Sequence, residues 1–400
     1  MEMKNVVFVD ALRTPFGKMG GGLRKFYPSE LAGTVVKALV DRSGILERGG
    51  KVNGVFIGSA FGDAHSTDIA RYAALYAGLP YETVASFIEM QCGSAIDAVN
   101  HAAWKIATGN ADVIIAGGCE SYSQRAAKFS MSVDPYKLIP PTAIPNQLSP
   151  RKEEAIDMVT ISNLMAERWN VTREECDAFA LRSQTLAAQA MESGWLDDQI
   201  CPVVIPATKK TPEIIVNKDE HPRPDTTMEQ LAKLRPVKEG GVTTAGNASG
   251  LNDGASAVLM MSEDMAKQLG YTPIACWVGS AEYGVDPRMM GIGPAYSNVK
   301  LLKKFGLSLS DIDVYECNEA FAAQNLSVIR EMENQMGGTI DMARWNPHGG
   351  AIAFGHPNGA SGTRIAAFTI RHLQDTKGKY GLFSSCCGGG LGVSTLIERV

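Results

Sequence analysis

The pattern that most constrains the fold occurs twice, once in each half of the chain. In the first half, Cys92 opens a helical run, an apolar strand follows, and Cys119 lies 27 positions later in the sequence GGCES. In the second half, Gly359 opens a helical run, a strand at 381–385 follows, and Cys386 lies 27 positions later. Both halves thus combine a helix N-terminus with a glycine- and cysteine-containing turn at the same spacing. We expect a duplicated α/β domain with a functional site where the two copies meet.

Short apolar strands alternate with helical runs over most of the chain. Such strand-like runs occupy residues 5–9, 52–58, 85–90 and 112–116 and, after a long interruption, 255–262, 274–280 and 312–317. This alternation predicts an α/β fold with mostly parallel or mixed sheets.

The interruption, from residue 122 to about residue 247, differs in character. Prolines and charged residues punctuate it, and its second helical run, at 174–191, follows Thr172 in a Thr-x-x-Glu capping box. We interpret this stretch as a large insertion laid over the core. The predicted division is an N-terminal half at 1–121, an inserted domain at 122–247, a return to the N-terminal half at 248–272 and a C-terminal half at 273–400.

Composition excludes several classes of function. The net charge of -5 provides no basic surface for nucleic acid, and no run of 18 apolar residues could cross a membrane. The first residues read as strand and loop rather than as a signal peptide. Eight cysteines in 400 residues are too dilute for a disulfide scaffold, and they contain no CxxC pair for zinc. We expect reduced thiols, no metal site and a cytoplasmic location.

Two thiols and one imidazole stand out because small residues surround each of them. His356 lies in GGAIAFGHPNGASG, where glycines let a ligand come close to the backbone and where a rigid base would suit proton transfer near neutral pH. Cys92 lies in MQCGSA at the start of a helical run, and Cys386 lies in CCGGGLG, at an expected turn with little steric cover. The alternative for Cys92 is a buried small apolar side chain.

Six motifs in the same order carry a resemblance to the thiolase family, the acyl-CoA acyltransferases. They are CGSA at 92–95, GGCES at 117–121, TAGNASGLNDGA at 244–255, NEAFA at 318–322, GGAIAFGHPNGASG at 349–362 and CCGGGLG at 386–392. The resemblance implies a thiolase fold, in which two similar α/β halves build a layered αβαβα core and the inserted loop domain holds coenzyme A. It also implies a homodimer or homotetramer.

The reaction that the resemblance implies is a reversible Claisen condensation of acyl-CoA and acetyl-CoA to 3-oxoacyl-CoA and coenzyme A, with no tightly bound cofactor. Cys92 would be the acyl-accepting nucleophile, its pKa lowered by a helix N-terminus and a nearby base. His356 would take the Cys92 proton and donate to the thioester oxygen of the second acyl-CoA. Cys386 would be the acid/base at the α-carbon; Cys387 is the alternative thiol, but the family motif aligns with the first of the pair.

Four further positions match residues with roles in the family. Asn318 would fix a water that stabilises the enolate oxygen, although it could simply cap a helix beginning at residue 319. The N–H groups of Cys92 and Gly388 would form a second oxyanion hole. Ser249 would contact the pantetheine of coenzyme A. Arg223 would lie against the adenine, the alternative being a solvated surface charge.

Two departures from the family pattern lie close to these residues. Glu89 stands where the family usually has Asn, and its carboxylate would raise the Cys92 pKa unless it points away or is paired. Asn358 replaces the apolar residue after His-Pro, so we hypothesise that the acyl pocket suits a polar or branched chain.

Two other functions remain as alternatives to a thiolase. A condensing enzyme of the ketoacyl synthase type would use carrier-protein substrates, and a non-catalytic acyl-CoA binding member of the fold would be expected to lose the nucleophile. The pairing of Cys92 with Cys386 and the coenzyme A-type loop argue against the first, and the fact that every catalytic position is filled argues against the second. The sequence does not determine the length of the acyl chain, the direction of the reaction, or whether the protein is a dimer or a tetramer.

Overall fold

The computed structural model describes residues 3–130, 136–137, 139–145 and 147–400. Its strands are β1 (Val6–Arg13), β2 (Gly17–Lys18), β3 (Gly54–Gly58), β4 (Val84–Ile88), β5 (Val113–Ser121), β6 (Val203–Ile205), β7 (Ile214–Val216), β8 (Asn252–Ser262), β9 (Ala275–Gly284), β10 (Ile312–Cys317), β11 (Tyr380–Cys387) and β12 (Leu391–Glu398). Its helices are α1 (Pro28–Ser43), α2 (Ile69–Tyr76), α3 (Ser94–Ala107), α4 (Met158–Arg168), α5 (Arg173–Glu192), α6 (Met228–Ala232), α7 (Glu263–Gln268), α8 (Gly293–Phe305), α9 (Ala322–Met336), α10 (Ala351–Phe354) and α11 (Ser361–Thr376).

The large sheet contains the same arrangement of four strands twice. Its order is β10-β11-β12-β9-β1-β8-β5-β3-β4, with β2 paired to β8. In β1-β8-β5-β3 and in β9-β12-β11-β10, the first two pairings are antiparallel and the third is parallel. The two halves join where β1 pairs with β9 over the three residues Val6 to Phe8. This topology confirms the two similar α/β halves predicted from the repeated pattern.

Two helices, one from each half, form the central layer. Both α3 and α11 are buried on most of their surface, and they share an apolar cluster with strands from both half-sheets. A methyl group at Gly362 would approach the Ile96 nitrogen to 2.6 Å, so glycine is required where the two helices touch. Helices α1 and α2 cover the outer face of the N-terminal half, and α8 and α9 that of the C-terminal half. These layers give the predicted αβαβα core.

The inserted segment packs against the C-terminal half through α5. Thr172 Oγ accepts the Glu175 N–H, and the Glu175 carboxylate accepts the Thr172 N–H, so the predicted capping box is confirmed. From the middle of α5, the Ser183 hydroxyl donates to the buried Glu319 carboxylate at 2.6 Å. Several residues of the predicted 122–247 domain, including Pro135, lie outside the described part of the chain. No helix in the described residues has both the length and the hydrophobicity needed to span a bilayer.

Candidate active site

A cavity of about 790 Å³ lies between the two halves and the inserted segment. Four predicted site residues, Cys92, Ser249, His356 and Gly388, lie on its wall. Asn318 and Cys386 are fully buried behind that wall. Arg223 is exposed and is not part of the wall, and its backbone N–H donates to Gln184 Oε1.

Cys92 sits in the middle of a short 3-10 turn, Gln91–Gly93, that leads into α3. Gln91 has a φ of 49°, an unusual left-handed conformation for a residue with a side chain. Glu89 stabilises this turn because its Oε1 accepts both the Gln91 N–H at 2.8 Å and the Gln91 side-chain amide at 2.6 Å. Glu89 is therefore hydrogen-bonded, as expected, and these bonds hold the turn that carries Cys92 in place.

The expected lowering of the Cys92 pKa is wrong. Burial, followed by the negative charge of Glu120, raises it to about 12, and the N–H groups of Cys92 and Gly388 offset only part of this rise. Glu89 adds a smaller unfavourable effect. Loss of hydration and two carboxylates thus outweigh the helix N-terminus. At neutral pH the residue is a thiol, and it acts as a nucleophile only where a base removes its proton.

His356 is held by hydrogen bonds at both ring nitrogens. Nδ1 lies 2.6 Å from Ser361 Oγ, and the Ser361 hydroxyl lies 3.3 Å from the Pro357 carbonyl. Because that hydroxyl donates to the carbonyl, it accepts from Nδ1–H, which leaves Nε2 without a proton. Nε2 lies 3.3 Å from the Asn318 side-chain amide. Sequence reasoning missed Ser361, although it lies five positions after the histidine in the same motif.

The His356 imidazole is neutral over the physiological range. Burial, and then the positive charge of Arg364, lower its pKa to about 3. A neutral imidazole and a neutral thiol therefore share the cavity, instead of a preformed thiolate–imidazolium pair. Such an arrangement favours proton transfer at the moment of nucleophilic attack.

Asn318 does not cap a helix, which excludes that alternative. Helix α9 begins at Ala322, with Phe321 as its N-cap, because residues 318–321 form an irregular link after β10. The Asn318 N–H donates to the Ser384 carbonyl, and its side-chain oxygen has no hydrogen-bond partner among the described residues. A buried oxygen of this kind is a good acceptor for an ordered water.

Cys386 differs from the prediction of a thiol in an open turn. It lies inside β11, two residues before the glycine run, and packs in an apolar cluster that includes Cys317. Burial is the main cause of a pKa well above the usual range, and the neighbouring Cys92 is the next. The strand extends further than the glycines suggested because Cys386 and Cys387 still pair with β12.

Three polar residues that sequence reasoning did not assign also contact the site. Glu120, at the end of β5, accepts the Gly359 N–H, and Asn252 Oδ1 accepts the His356 N–H. The Tyr122 hydroxyl donates to Asn358 Oδ1 at 3.1 Å on the cavity wall. The only available signal was their position inside or next to the quoted motifs.

Family models match both halves of the chain: "Thiolase, N-terminal domain" at residues 6–264 and "Thiolase, C-terminal domain" at residues 271–399. The acetyl-CoA acetyltransferase of Thiocystis violacea is 41% identical over 400 residues, covering 99% of each chain. The 3-oxoadipyl-CoA/3-oxo-5,6-dehydrosuberyl-CoA thiolase of Escherichia coli (strain K12) is 40% identical, covering 100% of each. The crystal structure of human mitochondrial 3-ketoacyl-CoA thiolase in complex with CoA superposes with a TM-score of 0.88 at 36% identity, covering 99% of this chain and 98% of that one.

Proposed function

The chain belongs to the thiolase family and is an acyltransferase with thiolase function, and from this premise we propose which residues carry out its reaction and on which substrates. The reaction is the reversible condensation of acyl-CoA with acetyl-CoA to 3-oxoacyl-CoA and coenzyme A. The full-length match to thiolases decides against a ketoacyl synthase and against a non-catalytic member of the fold. The single observation that carries the proposal is the shared cavity wall of Cys92, His356 and Gly388.

In the first half-reaction, the Cys92 sulfur attacks the thioester carbonyl while His356 Nε2 takes the thiol proton. The N–H groups of Cys92 and Gly388 point at the Cys92 sulfur, where they lower its pKa. They are therefore suited to stabilise the oxyanion of the tetrahedral intermediate, and one such donor contributes about 3 kcal/mol to the barrier. The bond to the coenzyme A sulfur then breaks, and His356 returns the proton to that sulfur.

In the second half-reaction, Cys386 exchanges a proton with the α-carbon of acetyl-CoA. Its raised pKa keeps it a thiol, which is the form that donates this proton during cleavage, and the resulting thiolate is the base for condensation. Asn318 would stabilise the enolate through a water on its free oxygen, and His356 would add a second donor only in the form protonated at Nε2. The enolate carbon then attacks the acyl carbon on Cys92, the carbon–sulfur bond breaks, and the leaving Cys92 sulfur takes the proton that the neighbouring Cys386 received from the α-carbon.

Coenzyme A is proposed as a substrate and product, without any tightly bound cofactor. Ser249 lies on the cavity wall beside Leu251 and Met290, a mainly apolar surface that suits pantetheine. The inserted segment at 122–247 would supply the remaining contacts. Arg223 is exposed, and its contact with the adenine is proposed from the family resemblance alone.

A homodimer or homotetramer and a cytoplasmic location complete the proposal. The sheet ends at β4, an edge strand whose Val84 and Phe87 side chains are exposed, together with the neighbouring Tyr81. An apolar open edge of this kind suits pairing with a second copy of the chain. All eight cysteines are free thiols, which fits a reducing compartment.

The proposal is tested by peptide mass spectrometry after brief incubation with acetyl-CoA. We expect an acetyl group on the peptide containing Cys92 and none in the Cys92→Ala variant. A folded protein that gains no acetyl group on Cys92 would overturn the assignment of the nucleophile.

The acyl end of the cavity favours a chain with a negatively charged terminus. Arg125 and Lys128 lie on the wall, and the Arg125 guanidinium stacks 3.8 Å from the centre of the Phe61 ring, which fixes its position. Neither cation forms an ion pair with any residue that the structure describes. The Tyr122–Asn358 hydrogen bond adds a second polar feature. A carboxylated acyl chain, as in the name of the Escherichia coli relative, fits this wall.

We expect Arg125→Gln to lower kcat/KM for succinyl-CoA about 10-fold or more, because a charge-assisted hydrogen bond to the acyl carboxylate is lost. The kcat/KM for acetyl-CoA should change by less than about twofold. Asn358→Leu should shift the preference in the same direction. Arg48→Gln is the matched control, since Arg48 stacks on Tyr271 away from the cavity. Repeating the assay with N-acetylcysteamine thioesters, which lack phosphates, separates acyl recognition from binding of coenzyme A. Unchanged selectivity in both variants on every chain would contradict a polar acyl pocket.

A further inference from the structure

The loop that carries His356 is held by side chains of the other half of the protein. We call residues 355–360 the histidine loop. Asn252 accepts the His356 N–H at 3.1 Å, Glu120 accepts the Gly359 N–H at 3.0 Å, and the Ser256 hydroxyl donates to the Ala360 carbonyl. Cys92 belongs to that same N-terminal half. These three contacts therefore fix the base relative to the nucleophile.

Glu120 lies at the tightest part of this contact. A methyl group at Gly118 would meet the Gly359 carbonyl oxygen at 1.8 Å, and one at Gly359 would meet the Cys119 carbonyl oxygen at 2.4 Å. The two backbones touch directly, and Glu120 follows Cys119 in the same strand. We call this backbone contact between Gly118–Cys119 and Gly359 the seam. A side chain that bridges the seam controls how the end of β5 and the histidine loop align.

Glu120 is 1% exposed, and both of its carboxylate oxygens accept hydrogen bonds. Oε1 accepts the Ser59 hydroxyl at 2.9 Å, while Oε2 accepts the N–H groups of Ala60 at 2.8 Å and Gly359 at 3.0 Å. No Lys or Arg in the described part of the chain forms an ion pair with it. Burying a carboxylate without a cation is costly, and here the three hydrogen bonds that it accepts offset part of that cost.

We propose that Glu120 is a positioning residue of this site: by accepting the Gly359 N–H, it keeps the histidine loop, and with it the His356 base, aligned with Cys92. The proposal rests on the roles proposed for Cys92 and His356. Glu120 itself touches neither substrate nor the reacting atoms. Its action is on turnover, because alignment of a base matters in the transition state more than in substrate binding.

Two conservative variants separate the reach of Glu120 from its charge. Glu120→Gln keeps an oxygen at the same reach for the two N–H groups, and its amide can donate to Ser59, but it has no charge. Glu120→Asp keeps the charge but is one methylene shorter, so it cannot hold Ala60 and Gly359 together. We expect kcat of Glu120→Gln to stay within about threefold of the wild type and kcat of Glu120→Asp to fall about 30- to 100-fold. KM should change little in either variant.

The same preparations are assayed for alkylation of Cys92 by iodoacetamide and for thermal unfolding. In Glu120→Asp we expect slower alkylation at neutral pH, because the displaced His356 no longer takes the Cys92 proton, while the unfolding temperature stays close to that of the wild type. A Glu120→Gln enzyme as slow as Glu120→Asp, or a Glu120→Asp enzyme with wild-type kcat, would overturn the proposal. The variants Cys92→Ala and His356→Ala are assayed in parallel, so that failure of the Glu120 proposal can be distinguished from failure of the proposed function. Full activity in Cys92→Ala or His356→Ala would refute the proposed function.

Discussion

Cys386→Ala is expected to abolish condensation while leaving acetylation of Cys92 intact. The acyl transfer to Cys92 needs only the nucleophile, His356 and the two N–H donors, whereas carbon–carbon bond formation needs a base at the α-carbon. We expect the rate of 3-oxoacyl-CoA cleavage and synthesis to fall about 10³- to 10⁴-fold. After a quenched incubation of this variant with acetyl-CoA, mass spectrometry should still detect an acetyl group on Cys92.

Cys387→Ala is the matched control because it removes a buried thiol of the same size one position away. The Cys387 sulfur lies on the α3 side, where a methyl at Gly93 would approach it to 2.4 Å. Its removal should cost little turnover. If Cys387→Ala instead loses condensation and Cys386→Ala retains it, the two thiols exchange roles. Loss of acetylation in Cys386→Ala would contradict the separation of the half-reactions.

His356→Ala is expected to impair both half-reactions, by about 10³- to 10⁴-fold in kcat/KM. The Cys92 thiol, with its pKa of about 12, has no thiolate to offer at neutral pH once the base is gone. Acetylation of Cys92 should therefore slow along with condensation, unlike in Cys386→Ala. Ser361→Ala should be milder, about 10-fold, because the imidazole remains but its tautomer is no longer fixed. An unchanged acetylation rate in His356→Ala would exclude it as the base.

The pH dependence of kcat/KM also reports on the protonation of His356. An ordinary histidine would lose its base form as the pH falls through about 6.5. His356, with a pKa of about 3, stays unprotonated well below that, so kcat/KM should show no acid limb near 6.5 from this residue. The Glu120 pKa of about 7, raised by burial, is the titration nearest to neutrality. Because the uncharged Glu120→Gln is expected to keep kcat within about threefold, protonation of Glu120 should produce only a shallow change near pH 7, which is absent from that variant.

The sequence predicts the architecture well because the relevant signals are local or repeated. The 27-residue spacing of Cys92–Cys119 and Gly359–Cys386 anticipates two halves with the same strand order. The capping box at Thr172 depends on residues three positions apart, so it could be read without any tertiary information.

What could not be predicted depends on groups brought together from distant segments. The pKa of Cys92 is raised by burial and by Glu120, which lies 28 positions away in the sequence. A prediction based only on the helix N-terminus therefore gives a pKa shift of the wrong sign. Cys386 is buried by neighbours that no local pattern identifies. Ser361 was within the quoted motif, but its hydrogen bond to His356 requires the turn at Pro357 to bring the two together. The assigned roles stay predictions for Cys92, His356, Cys386, Asn318, Gly388, Ser249 and Arg223.

The seam at Gly118 and Gly359 has a consequence for how this protein tolerates mutation. Cys92, the proposed nucleophile, belongs to one copy of the duplicated domain and His356, the proposed base, to the other, so under that proposal neither copy can work alone. A substitution that widens the gap between the copies by a fraction of an ångström can leave each copy folded and the melting temperature nearly unchanged. For such substitutions kcat, which depends on the distance between Cys92 and His356, should respond more strongly than the melting temperature does.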